Sequence, residues 1–255
     1  MSKDDRAVVI TGNWKMYKTI EEATAFVKEL IPLVQDAPVS IYLAVPFTAI
    51  RSVAELVKGS SIKIGAQNMN DVSEGAFTGE IAGKMLKEAG AEFVILGHSE
   101  RRRFFNETND LIHKKVVRAL EDGLQPVLCI GESKEERDRN ETEEVLQKQL
   151  QECLAGIKSE QASQLMIAYE PVWAIGTFDA ATPEVAEEAH AFCRKCLGEL
   201  FGEEVAGQIV IQYGGSVVPE NAAAFLQQED IDGLLVGGAS LSAEKFSKIV
   251  NMGKL

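Results

Sequence analysis

The chain has 255 residues, with 26 lysines and arginines against 39 aspartates and glutamates, which gives a formal net charge of −13. This acidic balance argues against a protein that binds nucleic acid through a basic face, although a local cluster of donors would still bind a small anionic substrate. With 45% hydrophobic and 25% charged residues, the composition is that of a folded globular protein, not of a disordered or fibrous one.

The amino-terminal segment predicts no export. Residues 1–6 are charged and lack the apolar stretch of a signal peptide. No run approaches 18 consecutive apolar residues, so no membrane span is expected. Four cysteines without an export signal are typical of reduced thiols. We therefore expect a cytoplasmic protein that interacts neither with membranes nor with nucleic acid.

Eight short apolar runs, rich in valine and isoleucine, recur along the whole chain. Most are continuously apolar, as expected for parallel strands that are covered on both faces. These predicted strands are 7–10, 41–45, 62–66, 93–96, 126–130, 165–169, 209–213 and 233–236.

Helical patterns lie between the strands. A capping box at 19–22 predicts a helix through Leu30, and Thr182 before Pro183 predicts an N-cap for a helix that runs towards Phe201. Further helices are predicted at 109–122, 142–157 and 243–250, and the charged run 134–144 is interpreted as a solvated helix entrance.

Eight strand–helix units without a dividing linker favour an α/β fold in which residues 1–255 form a single (β/α)8 barrel domain. The alternative is an open doubly wound sheet. A dinucleotide fingerprint after the first strand would strengthen that alternative, but the segment there, TGNWK at 11–15, has no G-x-G-x-x-G pattern.

Polar residues follow several of the predicted strands, where a parallel barrel collects its chemistry. Asn13 and Lys15 follow the first strand, His98 the fourth and Glu170 the sixth. Each has a plain structural interpretation: a packed histidine, an ion-paired carboxylate or a surface lysine. Together at one barrel mouth, however, a carboxylate, an imidazole and a lysine suit proton transfer next to a carbonyl group.

Double glycines close the last two strands, at 214–215 before Ser216 and at Gly237 and Gly238. Such pairs can simply form tight turns. Glycine also lets backbone N–H groups approach an anion closely, and the loops after strands seven and eight are the usual phosphate site of this architecture. Their occurrence after these two strands favours phosphate binding.

His190, Cys193 and Cys196 resemble a metal-ligand cluster, but they lie within a predicted helix and have no second pair to complete a tetrahedral site. No metal site is predicted. Cys129 falls within a predicted strand and His113 within a polar helix, so they are expected to be packed and solvated respectively.

Nearly the whole chain closely resembles the triosephosphate isomerase family. The resemblance is carried by five segments in order: GNWKM at 12–16, GHSERR at 97–102, AYEPVWAIGT at 168–177, YGGS at 213–216 and VGGA at 236–239. It implies interconversion of dihydroxyacetone phosphate and glyceraldehyde 3-phosphate, within glycolysis and gluconeogenesis and without any cofactor.

The resemblance also implies roles for particular residues. Glu170 would be the base, His98 a neutral imidazole that donates to the substrate oxygens, and Lys15 the cation that stabilises the enediolate. Asn13 would line the same pocket. The phosphate would be held by the backbone at Gly176, Ser216, Gly237 and Gly238.

Residues 171–177 match the family's lid loop, which would protect the intermediate from water. The next three residues, Phe178, Asp179 and Ala180, depart from the usual Gly-Lys-Thr-like continuation. A bulky side chain restricts the backbone where glycine is usual, and an acidic one adds negative charge, so we expect slower closure and weaker substrate binding. Asn106 replaces a frequent glycine more mildly, because asparagine tolerates left-handed geometry.

The segment GAFTGE, from Gly75 to Glu80, resembles the family loop that reaches into the partner subunit's site. A homodimer is therefore expected. Two rival functions remain at this point: an aldolase that forms a Schiff base on Lys15, and a non-catalytic phosphate-binding barrel.

Overall fold

The computed structural model describes residues 3, 6–175 and 181–253. Eight parallel strands pair in sequence order and close into a barrel, in which β1 pairs with both β2 and β8. The strands are β1 Val9–Asn13, β2 Ser40–Val45, β3 Ile62–Ala66, β4 Phe93–Leu96, β5 Gln125–Ile130, β6 Met166–Tyr169, β7 Val210–Tyr213 and β8 Gly233–Val236.

Helices surround the barrel and connect its strands. They are α1 Ile20–Val34, α2 Ile50–Leu56, α3 Gly83–Ala89, α4 Ser99–Phe104, α5 Asn109–Glu121, α6 Lys134–Asp138, α7 Thr142–Cys153, α8 Ser159–Ala162, α9 Pro183–Phe201, α10 Glu203–Ala206, α11 Pro219–Leu226 and α12 Ala243–Met252. Short 3-10 helices lie at Phe47–Ala49, Val172–Ala174 and Gly238–Leu241. The predicted barrel is confirmed, and the open sheet is excluded by the β1–β8 pairing.

Two apolar regions hold the fold together. One fills the barrel interior, where alternate residues of the strands meet. The other lies between the outer faces of the strands and the helices, and it includes Trp14, which packs edge-on against Phe26 of α1 at 4.9 Å between ring centroids. Because strands are covered on both faces, their continuous hydrophobicity follows directly.

The first strand begins later than predicted. The apolar run at 7–10 suggested an early strand, but pairing with β2 continues to Asn13 opposite Ala44. Thr11 and Asn13 are buried polar strand residues, and the Thr11 hydroxyl accepts from the Gln212 side chain, so hydrophobicity did not mark them. Asn13 therefore sits on rigid strand backbone rather than in the loop that follows.

The charged run 134–144 is two helices and not one helix entrance. Ser133 and Glu136 form a capping box that starts α6, and Asn140, at φ +58°, turns the chain before α7 begins at Thr142. The following helix ends at Cys153, earlier than the predicted 157. His113 is half-buried, with Nδ1 3.1 Å from the Cys153 carbonyl oxygen, so the expectation that it is solvated was wrong.

Helix caps agree with the sequence. Thr19 and Glu22 form the predicted capping box of α1, and the Thr182 hydroxyl accepts the Val185 N–H at the start of α9. Among the described residues, no helix has the length and apolarity needed to cross a bilayer.

Candidate active site

A cavity of about 270 Å³ opens at the carboxyl ends of the strands. Seven of the predicted site residues line it: Asn13, Lys15, His98, Glu170, Ser216, Gly237 and Gly238. The eighth, Gly176, lies outside the described residues, as do Phe178, Asp179 and Ala180. The polar groups follow β1, β4 and β6, and the glycine-rich segments follow β7 and β8, which lie between β6 and β1 in the closed barrel.

Glu170 follows β6 directly, and its side chain is almost completely buried. One carboxylate oxygen, Oε2, accepts the backbone N–H of Ser99 at 3.0 Å, and the other, Oε1, lies 2.9 Å from Nε2 of His98. Ser99 is the first residue of α4, so the carboxylate also faces the positive end of that helix. Glu170 is thus a buried carboxylate held by hydrogen-bond donors, and no lysine or arginine in the described part of the chain pairs with it.

His98 is the N-cap of α4, and its ring geometry fixes its proton. Nδ1 accepts the backbone N–H of Glu100 at 3.2 Å, which requires an unprotonated Nδ1. The single ring proton therefore sits on Nε2 and points to Glu170. The arrangement presents a neutral imidazole that donates into the cavity.

The pKa values of these two groups depend on one another. Burial raises the pKa of Glu170, but the facing His98 ring and the Ser99 N–H outweigh burial and hold this pKa below its ordinary value. Burial lowers the pKa of His98, while the carboxylates of Glu170 and Glu100 raise it above its ordinary value. Of the two carboxylates, Glu170 raises the pKa of His98 more. If Glu170 turned away from the ring, this effect would be lost, and burial and the Glu100 N–H would then favour the neutral imidazole.

Lys15 reaches the cavity from the turn that follows β1. Its backbone adopts φ +51°, and its N–H donates to the Asn13 side-chain oxygen at 3.0 Å, so asparagine stabilises the turn that aims the lysine. Its carbonyl oxygen accepts from Gln67 at 2.9 Å. The ammonium group lies 2.6 Å from Oε1 of Glu100. The cation is therefore positioned from three sides.

The segments that follow β7 and β8 contribute mainly backbone to the cavity. A Cβ added at Gly214 would lie 2.9 Å from Cγ of Glu170, so glycine there leaves room for the carboxylate chain. A Cβ at Gly238 would meet nothing within 4 Å, which means that it would project into open space. Gly238 begins the 3-10 helix Gly238–Leu241, so its backbone lies where a short helix follows β8.

Sequence reasoning missed two carboxylates. Glu100 pairs with Lys15, but within its sequence motif only the histidine was predicted as a site residue. Glu132 is fully buried and accepts from the Tyr169 hydroxyl at 3.0 Å and from the Trp173 indole at 2.8 Å. Burial raises its pKa. Its only sequence signal is a position just after β5, because its partners are distant in sequence.

The cysteine-rich part of α9 lies away from this cavity. His190, Cys193 and Cys196 are buried, and the His190 ring faces the Asp230 carbonyl oxygen at 3.2 Å. Within the described part of the chain, no group of three or more histidine, cysteine or acidic side chains is arranged to hold a metal ion. Cys129 is buried within β5, as expected, and its thiol also contacts Glu170.

Comparison with known proteins agrees with this geometry. The family model described as triosephosphate isomerase matches residues 8–253. A triosephosphate isomerase of Protochlamydia amoebophila is 61% identical over 253 residues, which cover 99% of this chain and 96% of the relative. Proteins with the same name from Fusobacterium nucleatum and Carboxydothermus hydrogenoformans are 50% and 52% identical, over 97% and 96% of this chain and 99% and 98% of their own lengths. The chain belongs to the triosephosphate isomerase family.

Proposed function

We propose that the chain interconverts dihydroxyacetone phosphate and glyceraldehyde 3-phosphate, with Glu170 as the base. One observation carries this proposal: a buried carboxylate and a neutral imidazole that donates from Nε2 lie 2.9 Å apart in a cavity that glycine-rich backbone also lines. A carboxylate can take a proton from a carbon beside a carbonyl group only if the carbonyl oxygen is stabilised as it becomes negative.

The proton transfer runs in two steps. Glu170 removes a proton from C1 of dihydroxyacetone phosphate, and the electron pair of the broken C–H bond forms the C1–C2 double bond of an enediolate. After the two oxygens exchange a proton, the Glu170 carboxylic acid returns its proton to C2, which produces the aldehyde. No electrons enter or leave, so the reaction needs no redox partner.

His98 and Lys15 supply the stabilisation. In the structure, the Nε2–H of His98 donates to Glu170. We propose that a substrate oxygen accepts this hydrogen bond in place of Glu170 when the carboxylate turns towards the carbon. The Lys15 ammonium group supports the same negative oxygen. Removing one such donor typically costs about 10²- to 10³-fold in turnover.

The phosphate would be bound by the backbone N–H groups of the segments at Ser216 and at Gly237 and Gly238. An open space where a Cβ would project at Gly238 supports this assignment. We extend the assignment to Gly176 on the resemblance of its segment alone.

A coupled assay in both directions tests the activity. The wild type is expected to turn over both triose phosphates, and His98→Gln is expected to lose roughly a hundredfold in kcat with a smaller change in KM. Wild-type protein without activity in either direction would contradict the proposal.

The aldolase alternative needs a desolvated, neutral Lys15 amine. Lys15 instead pairs with Glu100 at 2.6 Å, and its side chain is 26% exposed. Treatment with borohydride in the presence of substrate would trap a Schiff base on Lys15 in an aldolase, and we expect no covalent adduct here.

We propose a homodimer that assembles through the carboxyl-end loops of neighbouring strands β1 to β4. These loops and the adjoining helices expose large apolar side chains: Met16, Tyr17, Phe47, Phe77, Met85, Phe104 and Phe105. Phe77 lies in the predicted partner-binding segment from Gly75 to Glu80, and its side chain is 52% exposed. Such a clustered apolar surface is typical of an interface.

All four cysteines are free and buried. We propose a cytoplasmic location, which the absence of cysteine pairing supports.

A further inference from the structure

Lys18 connects two walls of the active-site cavity. It lies three residues after Lys15, in the turn between β1 and α1. Its Nζ donates to the carbonyl oxygen of Leu241 at 2.9 Å. Leu241 is the last residue of the 3-10 helix Gly238–Leu241, whose first residues carry the proposed phosphate site.

The Lys18 ammonium group is held in place by more than one contact. It lies 4.7 Å from the centroid of Phe26 and 5.5 Å from that of Trp14, within the range of cation–π attraction. Partial burial lowers the pKa of Lys18, although Glu22 and Glu29 oppose this. The backbone of Lys18 has φ +76°, a left-handed conformation that is unfavourable for a residue other than glycine. A flexible surface lysine would need neither this backbone conformation nor these contacts.

The turn that carries Lys18 is fixed independently. The Trp14 N–H donates to the Ala44 carbonyl oxygen at 3.1 Å, and the Trp14 side chain is fully buried. The Asn13 and Gln67 hydrogen bonds hold Lys15. The turn is therefore fixed at Trp14 and at Lys15, which is three residues before Lys18.

The segment at 237–241 directly follows β8, whose last residue, Val236, pairs with Gly12 of β1. Ser240 bonds mainly within the segment, with its hydroxyl 2.7 Å from the Gly237 carbonyl oxygen and 3.4 Å from that of Asn13. Among the described residues, Lys18 and Ser240 supply the side-chain hydrogen bonds that join this segment to the turn, and the one from Lys18 is the shorter and is charge-assisted.

We propose that Lys18 is a positioning residue for substrate phosphate: by anchoring Leu241 it holds the backbone at Gly237 and Gly238 in register with Lys15 and Asn13. This inference rests on the proposed function, because it assumes that the segment binds the phosphate group. Lys18 itself does not contact substrate.

The test compares three variants by binding of inorganic phosphate and by kinetics. Lys18→Met keeps most of the aliphatic chain but loses the donor. It is expected to raise the dissociation constant for phosphate and the KM for both triose phosphates roughly fivefold, with kcat within twofold of wild type. Lys18→Arg keeps a charged donor and should stay closer to wild type than Lys18→Met. Lys18→Gly also loses the donor, but it suits the left-handed backbone and so guards against failure to fold.

Lys28→Met is the matched control. Lys28 is exposed on α1, and its replacement changes the net charge by the same amount. Lys28→Met should leave phosphate binding unchanged, so a general electrostatic effect on an anionic ligand is separated from a local one. Hydrodynamic mass at the assay concentration shows whether any variant has altered its assembly.

An unchanged phosphate dissociation constant in both Lys18→Met and Lys18→Gly would overturn the inference, as would an equal change in Lys28→Met. A fall in kcat alone would also overturn it, because it would indicate misplacement of Lys15. Phosphate binding is measured without turnover, so a wild type that binds phosphate but does not isomerise would refute the proposed function and still leave the Lys18 comparison decisive.

Discussion

The Glu170 carboxylate reaches its two donors from the end of β6, so its position depends on the length of its side chain. Glu170→Asp would withdraw the carboxylate by about 1.5 Å. We expect kcat to fall roughly a hundredfold with little change in KM, because the phosphate site is untouched while the base is displaced. Steady-state kinetics in both directions measure this. Full turnover by Glu170→Asp would mean that Glu170 is not the base.

The open space beside Gly238 allows the proposed phosphate site to be tested by a single added methyl group. Gly238→Ala adds a methyl group that meets no protein atom within 4 Å, so stability should change by less than about 0.5 kcal/mol. If phosphate occupies that space, KM should rise severalfold while urea unfolding stays close to wild type. An unaltered KM would argue against phosphate binding at this backbone position.

Individual site residues were predictable where chemistry and position coincided. His98 and Glu170 each follow an apolar strand, and polar side chains at that place are informative. The role of Glu100 was harder to predict, because it depends on an ion pair with Lys15, which is 85 residues away in sequence. The ring proton of His98 was not predictable from residue types either, since it depends on a backbone N–H facing Nδ1.

Among the elements, helix α9 has a side-chain N-cap whose contribution to stability can be measured. The Thr182 hydroxyl accepts the Val185 N–H, and Thr182→Ala removes that acceptor. We expect a loss of about 1 kcal/mol in the free energy of unfolding, measured by urea denaturation. Thr142→Ala is the matched control, because Thr142 also begins a helix but α7 has no side-chain cap. Equal losses in both variants would show that capping is not the cause.

The three residues after the matched lid segment carry a prediction that rests on sequence alone, since Phe178, Asp179 and Ala180 lie outside the described residues. Replacing them by glycine, lysine and threonine is expected to raise kcat/KM, because the change removes a bulky side chain and a negative charge. Asp179→Asn alone separates charge from backbone freedom. Identical kinetics in the wild type and the triple variant would refute the expectation.

Most elements were predictable from hydrophobic runs and capping residues, and the exceptions have physical causes. The end of β1 was missed because Thr11 is polar: its hydroxyl accepts from the Gln212 side chain at 2.8 Å inside the barrel. Pairing with the neighbouring strands keeps residues 11–13 in strand conformation although their hydrophobicity does not predict it. The split of 134–144 depends on the left-handed backbone of Asn140, which charge patterning does not reveal.

For the whole molecule, His190 links stability to pH. Burial lowers its pKa to about 3, whereas an unfolded chain would bind a proton near pH 6.5. The unfolded state therefore holds the extra proton between these values, and stability falls as pH decreases through this window, by at most about 1.4 kcal/mol per unit. Urea unfolding of the wild type and His190→Gln at pH 7 and pH 5 measures the difference. The variant should lose less stability, and an equal loss would contradict the assignment.

The proposed homodimer can be tested at Phe77, which lies in the predicted partner-binding segment. Phe77→Asp would place a charge on the proposed interface, and we expect a smaller hydrodynamic mass together with reduced activity that recovers as protein concentration rises. Because the Phe77 side chain is exposed, the substitution is expected to leave the fold intact. A one-chain mass with full activity in the wild type would contradict the dimer.

The most direct measurement follows hydrogen during turnover in heavy water. If Glu170 exchanges its proton with solvent between the two steps, solvent deuterium should enter C2 of glyceraldehyde 3-phosphate and C1 of dihydroxyacetone phosphate. Glu170→Gln should abolish this incorporation while inorganic phosphate still binds. Wild-type protein that neither incorporates deuterium nor interconverts the two triose phosphates, or undiminished incorporation by Glu170→Gln, would contradict the account.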